Sequence, residues 1–145
     1  MLYEQKTDEM LMGLKSENWI YTASQTFYKL ESKLVSLKGR RFYGLTREED
    51  GRDVYYACTR IEDGDIPEDI GLLRLTIGRG MYDRELLKDW NRKLAGTNIE
   101  GLAELFQTMF KRNAGKIDPD RCCVEFYRSQ KELYVMVPIK GIYVK

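Results

Sequence analysis

The 145-residue chain contains no histidine. That absence removes Ser-His-Asp and Cys-His catalysis in their usual forms, together with most zinc sites. Cysteine is scarce as well. Cys58, Cys122 and Cys123 make an odd number without a framework spacing, which points to a reducing compartment and a cytoplasmic protein. No apolar run approaches the roughly eighteen residues that span a bilayer, and Met1 to Glu9 has no apolar leader segment, so no membrane association is expected. Neither sign of charge is in excess. Twenty-four Lys and Arg face twenty-three Asp and Glu, and the basic stripe that direct nucleic-acid binding would need is missing.

What is present suits one ordinary globular domain over residues 1–145. Apolar residues make up 43% and charged residues 32%, and a chain of this length buries about two-thirds of its unfolded surface. No linker, low-complexity tract or charge block marks a second domain.

Leu2 to Leu14 reads as a strand. Trp19 to Lys38 reads as a helix capped by Thr22 or Ser24, with Phe27, Leu30, Leu34 and Leu37 as its apolar stripe and Gly39 as its stop. Arg41–Thr46 and Asp53–Ile61 form a hairpin around Asp50-Gly51. Ile70 to Ile77 is a further strand. Gly78 to Ala95 is ambiguous, with helical spacing at Leu86, Leu87, Trp90 and Leu94 beside a possible strand at Met81-Tyr82. Thr97 and Glu100 have capping-box spacing ahead of a helix that turns Ile99, Leu102, Leu105, Phe106, Met109 and Phe110 inward and ends at Asn113-Ala114-Gly115. Cys122–Arg128 and Glu132–Ile139 close the chain as a second hairpin. The order predicts an α+β fold, with helices on one face of a largely antiparallel sheet.

Chemistry concentrates in the last hairpin. Alternation puts Cys123, Glu125 and Tyr127 on one face and Cys122, Val124 and Phe126 on the other, with Tyr134 or Val135 across from Glu125. A carboxylate between Val124 and Phe126 in a short apolar strand must find donors or take up a proton if it is buried. Tyr127, Tyr134, Tyr43, Tyr55, Tyr56 and Tyr82 are the available hydroxyls. A carboxylate among aromatic rings is a receptor for an amphipathic cation. Against this stands the ordinary alternative, that a lone strand glutamate faces solvent.

Trp19 and Trp90 either wall a pocket or anchor helices to the sheet. The cysteines, lacking a CxxC spacing, read as small core residues. Gly78-Arg79-Gly80 reads as a bend between strands, because no lysine-serine pair or Rossmann frame accompanies it.

Three segments carry a family resemblance. VEFY followed by LYVMVPIK is similar to the closing hairpin of GyrI-like domains. VYYACTRIEDGDIPEDIGLLRLTIGRGMY resembles that family's middle section, and FYGL at Phe42 to Leu45 its earlier strand. The likeness covers roughly residues 40 to 140 and departs after Tyr82, where the usual aromatic-x-His-x-Gly stretch is missing.

The resemblance implies two pseudosymmetric β-α-β-β halves with a central ligand cleft. Glu125 would match the acidic residue that meets cationic drugs, and Tyr82 the tyrosine of a Gly-x-Tyr strand. The implied ligands are amphipathic, often cationic small molecules, with Glu125, Tyr127, Tyr134, Tyr82, Tyr43, Tyr55, Tyr56 and Trp90 as contacts and no cofactor or metal. With no helix-turn-helix in the chain, any role in transcription would run through a separate regulatory protein. The family also implies two alternatives. One is a hydrolase of cyclopropane-bearing alkylating compounds, with Glu125 as base and Tyr82 or Tyr134 as proton donor. The other is a gyrase-inhibitor-like interaction protein.

Overall fold

The computed structural model describes residues 1–88 and 99–141. Among the described residues, eight strands and two α-helices follow in chain order. They are β1 (Leu2–Gln5), β2 (Glu9–Lys15), α1 (Ala23–Ser32), β3 (Phe42–Glu49), β4 (Arg52–Arg60), β5 (Leu73–Ile77), β6 (Gly80–Lys88), α2 (Ile99–Arg112), β7 (Cys123–Tyr127) and β8 (Glu132–Ile139). The fold is α+β, a curled half-barrel of eight antiparallel strands with two helices. The strand order is β1-β6-β8-β7-β3-β4-β2-β5. Among the described residues, no helix is long and apolar enough to cross a membrane.

That order contains a pseudo-twofold. The half β2-α1-β3-β4 lies as β2-β4-β3, and the half β6-α2-β7-β8 lies as β6-β8-β7, so the halves meet where β3 pairs with β7. β1 and β5 are exchanged, each pairing with the other half. The β3–β7 ladder has five pairs, and its middle pair is Gly44 opposite Glu125. The molecule's pseudo-axis therefore passes through that pair.

The Asp50-Gly51 hairpin forms as its sequence predicts. Both residues have positive φ, 54° and 79°, the geometry of the two-residue turn whose twist matches the flanking strands. The closing hairpin forms as well, and of the two partners left open for Glu125, Tyr134 and Val135, the register selects Val135. In α2, Leu102, Phe106 and Met109 are buried, and the helix stops at Arg112, just ahead of the predicted Asn113-Ala114-Gly115 terminus.

Several boundaries differ from the sequence reading. Leu2 to Leu14 is two strands that pair at different places in the sheet, β1 with β6 and β2 between β4 and β5. The first helix is shorter than predicted. Trp19–Thr22 is a 3-10 turn, α1 ends at Ser32, and Thr22 makes no side-chain capping bond. A ten-residue helix depends on packing for its stability; Ala23, Thr26 and Leu30 are buried, whereas Leu37 lies exposed. The strand predicted from Ile70 begins at Leu73, after a 3-10 turn over Pro67–Ile70. Phe110 is exposed rather than inward. From Gly80 to Lys88 the ambiguous segment is a strand, as the Gly-x-Tyr resemblance implied. Trp90 and Thr97 lie outside the described residues.

The sheet's two faces carry different cores. Under the helices, Met12, Tyr55 and Ala57 pack with Leu30 of α1, while Cys123, Leu133 and Val135 pack with Phe106 and Met109 of α2. On the concave face, Leu11, Leu45, Cys58, Ile77 and Val124 fill the curl of the sheet. α1 packs across β4 and β2, and α2 across β8. The central strands β3 and β7 thus run beneath the gap between the helices.

Candidate ligand-binding site

Glu125 sits at the centre of β7 and is 1% exposed. Its Oε1 accepts a hydrogen bond from the Tyr55 hydroxyl at 2.9 Å and a second from the Tyr127 hydroxyl. Its Oε2 is buried without a partner among the described residues. Burial pushes its carboxyl up to about 7, and the two tyrosine hydrogen bonds act in the opposite sense. Both phenols are held well above their ordinary range, first by burial and then by the neighbouring carboxylate.

Room for this trio comes from Gly44. A Cβ at position 44 would collide with the Tyr55 hydroxyl and come to 2.8 Å from Glu125 Oε1. Gly44 and Glu125 are opposed in the ladder and project to the same face, which the Tyr55 hydroxyl also enters. β7 supplies the glutamate and β3 supplies the space.

Above the trio, α1 and α2 bound a cleft of about 580 Å³. Phe27, Tyr28 and Glu31 of α1 line it, with Leu102 of α2, Phe42 and Tyr127 from the sheet, and Ser129 and Gln130 from the last hairpin turn. Phe27 is the aromatic hub. Its ring meets Tyr127 edge-on at 5.5 Å, Tyr55 at 6.3 Å and Phe42 at 6.4 Å. Tyr127 links cleft and carboxylate, since it lines the former and donates to the latter.

The tyrosines singled out from sequence divide between the faces. Tyr55 and Tyr127 join Glu125. Tyr43 and Tyr134 flank Phe126 on the concave face, stacked on it at 4.9 and 6.4 Å. Tyr56 donates to Glu49 at 2.6 Å, and Tyr82 donates to the Gly78 carbonyl at 2.5 Å. Trp19 packs against the core under α1 rather than lining the cleft. Phe27 was legible only as a core residue, and Tyr28, Phe42, Leu102 and Gly44 were not legible as site residues at all. Adjacency was a usable signal for the tyrosines: Tyr55 and Tyr56 are consecutive in one strand and must face opposite ways.

The geometry bears on chemistry. Tyr82 and Tyr134 lie across the sheet from Glu125, so neither can donate a proton to a molecule that Glu125 activates. Among the described residues, no group of three or more Cys, Asp or Glu converges as metal ligands. The three cysteines are buried, and burial raises each thiol's pKa, which suits core residues rather than nucleophiles.

No known protein family's pattern matches the sequence, and no curated protein matches it. Solved structures do match. An integron cassette protein from the mobile metagenome of Vibrio cholerae superposes with a TM-score of 0.66 at 15% identity, covering 97% of this chain and 95% of that one. SAV2435, solved bound to tetraphenylphosphonium, has a TM-score of 0.66 at 16% identity, covering 98% and 94%. A Staphylococcus aureus protein assigned provisionally to bacterial transcription regulation has a TM-score of 0.60 at 14% identity, covering 97% of each chain. At such identities the shared property is the fold.

Proposed function

We propose that this chain is a GyrI-like binding protein for amphipathic, cationic small molecules, which enter the cleft between α1 and α2 and are read by Glu125. The observation that carries the reading is the buried carboxylate with one unpartnered oxygen, set behind the aromatic floor of an open cleft. A lipophilic cation such as a phosphonium has no N–H to donate, so a hydrogen-bonding site gains nothing from it. It needs apolar surface and a field that water does not screen. A carboxylate behind Tyr127 and Phe27 supplies both, because charges interact more strongly away from water and ring faces attract cations. The tetraphenylphosphonium held by a neighbour of the same fold is the ligand chemistry this arrangement suits.

Titration with tetraphenylphosphonium, or with a rhodamine-type dye, tests the reading. The native protein is expected to bind at about micromolar concentrations and Glu125→Gln about tenfold or more weakly, a loss of ~1.4 kcal/mol or more of charge attraction. Equal affinity in the two proteins would remove Glu125 from the role.

A further inference from the structure

The concave face holds a second hollow, of about 350 Å³, opposite in character to the cleft. Five side chains stack across five neighbouring strands along one wall. Tyr43 of β3 lies on Phe126 of β7 with centroids 4.9 Å apart and planes 17° apart, and Phe126 lies on Tyr134 of β8 at 6.4 Å and 16°. The Arg84 guanidinium of β6 follows, 4.5 Å from the Tyr134 ring and 4.0 Å from the Tyr3 ring of β1. Phe126, Tyr134 and the Arg84 guanidinium each have a row neighbour on both faces, which leaves their edges for the hollow. Ring edges carry the positive end of the aromatic quadrupole, and a guanidinium edge carries its N–H donors.

Charge at the hollow has the same sign. Arg41, Arg84 and Arg128 line it against one glutamate, Glu9. Arg128 is paired with Glu132 at 3.6 Å, and Glu9 is already engaged by Arg60 and the Tyr43 hydroxyl, each at 3.4 Å. Arg84 and Arg41 have no carboxylate partner among the described residues, and the Arg84 guanidinium donates no hydrogen bond to them. An arginine clamped between two rings loses little further freedom on binding, and its open edge matches a carboxylate in a two-point fork.

We propose that this hollow is a second binding site, for a small planar aromatic carboxylate, with Arg84 and Arg41 holding the carboxylate and the Tyr43–Phe126–Tyr134 edges meeting the ring. It lies on the opposite face of β7 from Glu125 and is independent of the cleft's ligand.

Calorimetric titration with 2-naphthoate tests it, with 2-naphthalenemethanol as the uncharged counterpart. The native protein is expected to bind the carboxylate at least about tenfold tighter than the alcohol, and Arg84→Gln and Arg41→Gln each to remove about tenfold. Glu125→Gln and excess tetraphenylphosphonium are expected to leave that affinity unchanged. Thermal melts confirm that each variant is folded, and Arg41, being exposed, serves if Arg84→Gln is not. No binding by the native protein, equal binding of acid and alcohol, affinity unchanged in the folded arginine variants, or displacement by tetraphenylphosphonium would each overturn the proposal.

Discussion

Glu125→Gln should stabilise the protein, and only above a particular pH. Burial raises the Glu125 carboxyl from 4.5 to about 7, so between those values the folded protein binds a proton that the unfolded chain releases. A group of this kind supports the fold fully below pH 4.5, and the support is lost as pH rises through 7. At ~1.4 kcal/mol per tenfold change in proton affinity, the interval corresponds to about 3 kcal/mol at pH 9. Glutamine has the same shape and no charge. Melts followed by circular dichroism should therefore coincide for the two proteins near pH 4 and separate by about 10 °C at pH 9, the variant being higher, since a chain of this size gains ~3 °C per kcal/mol. A cation in the cleft favours the ionised carboxylate. Tetraphenylphosphonium affinity of the native protein should accordingly climb with pH to just above 7 and then level, while the variant's stays low and flat. A stability gap independent of pH, or one that grows toward acid, would refute the reasoning.

Four further outcomes are expected. Tyr127→Phe keeps the ring and removes one donor to Glu125, so it should move the pH midpoint of dye binding upward and cost about 1–2 kcal/mol above pH 8 in denaturant melts. Gly44→Ala forces a methyl group against the Tyr55 hydroxyl and the Glu125 carboxylate, and should cost about 1–3 kcal/mol as overpacking does, with weaker dye binding in fluorescence titration. Phe27→Ala removes the hub of the cleft's ring contacts and should lower tetraphenylphosphonium affinity about tenfold or more, the weight of a lost aromatic contact at a binding hot spot. At Asp83, burial raises the carboxyl, but hydrogen bonds from Arg112 and Asn113 outweigh it and hold the group at about 2. Its support is present above pH 4 and lost as pH falls through 2, so Asp83→Asn should cost about 2 kcal/mol at neutral pH, while its melts converge with the native protein's near pH 2.

Local chemistry was legible where it decides local structure. Asp50-Gly51 can adopt positive φ, and so the first hairpin could be read directly. Alternation in β7 and β8 narrowed the residue opposite Glu125 to Tyr134 or Val135, and the register selects Val135. The split of Leu2 to Leu14 was missed although the polar run Glu4 to Glu9 interrupts its apolar pattern; where β1 and β2 each join the sheet is set only by pairing with distant strands. The first helix was read too long because Leu34 and Leu37 keep the helical spacing beyond Ser32, although only Leu34 still packs on the core and Leu37 is exposed. The site was half legible. Glu125 stood out by its neighbours in sequence. Gly44 owes its importance to a residue 81 positions away across a pseudo-axis, and no local pattern signals that.

The alternation of β7 also constrains how this gene can change. Glu125 and Tyr127 face the helices while Val124 and Phe126 face the opposite hollow, so the strand is written in two interleaved reading frames one residue apart. Substitutions can alter either set separately. Losing or gaining a single residue within Cys123–Tyr127 would exchange them, turning the carboxylate into the arginine-lined hollow and Phe126 toward the helices. Deletion scanning should accordingly find this short strand far less tolerant of length change than of sequence change, and relatives of the fold should vary in the turns that bound it rather than within it.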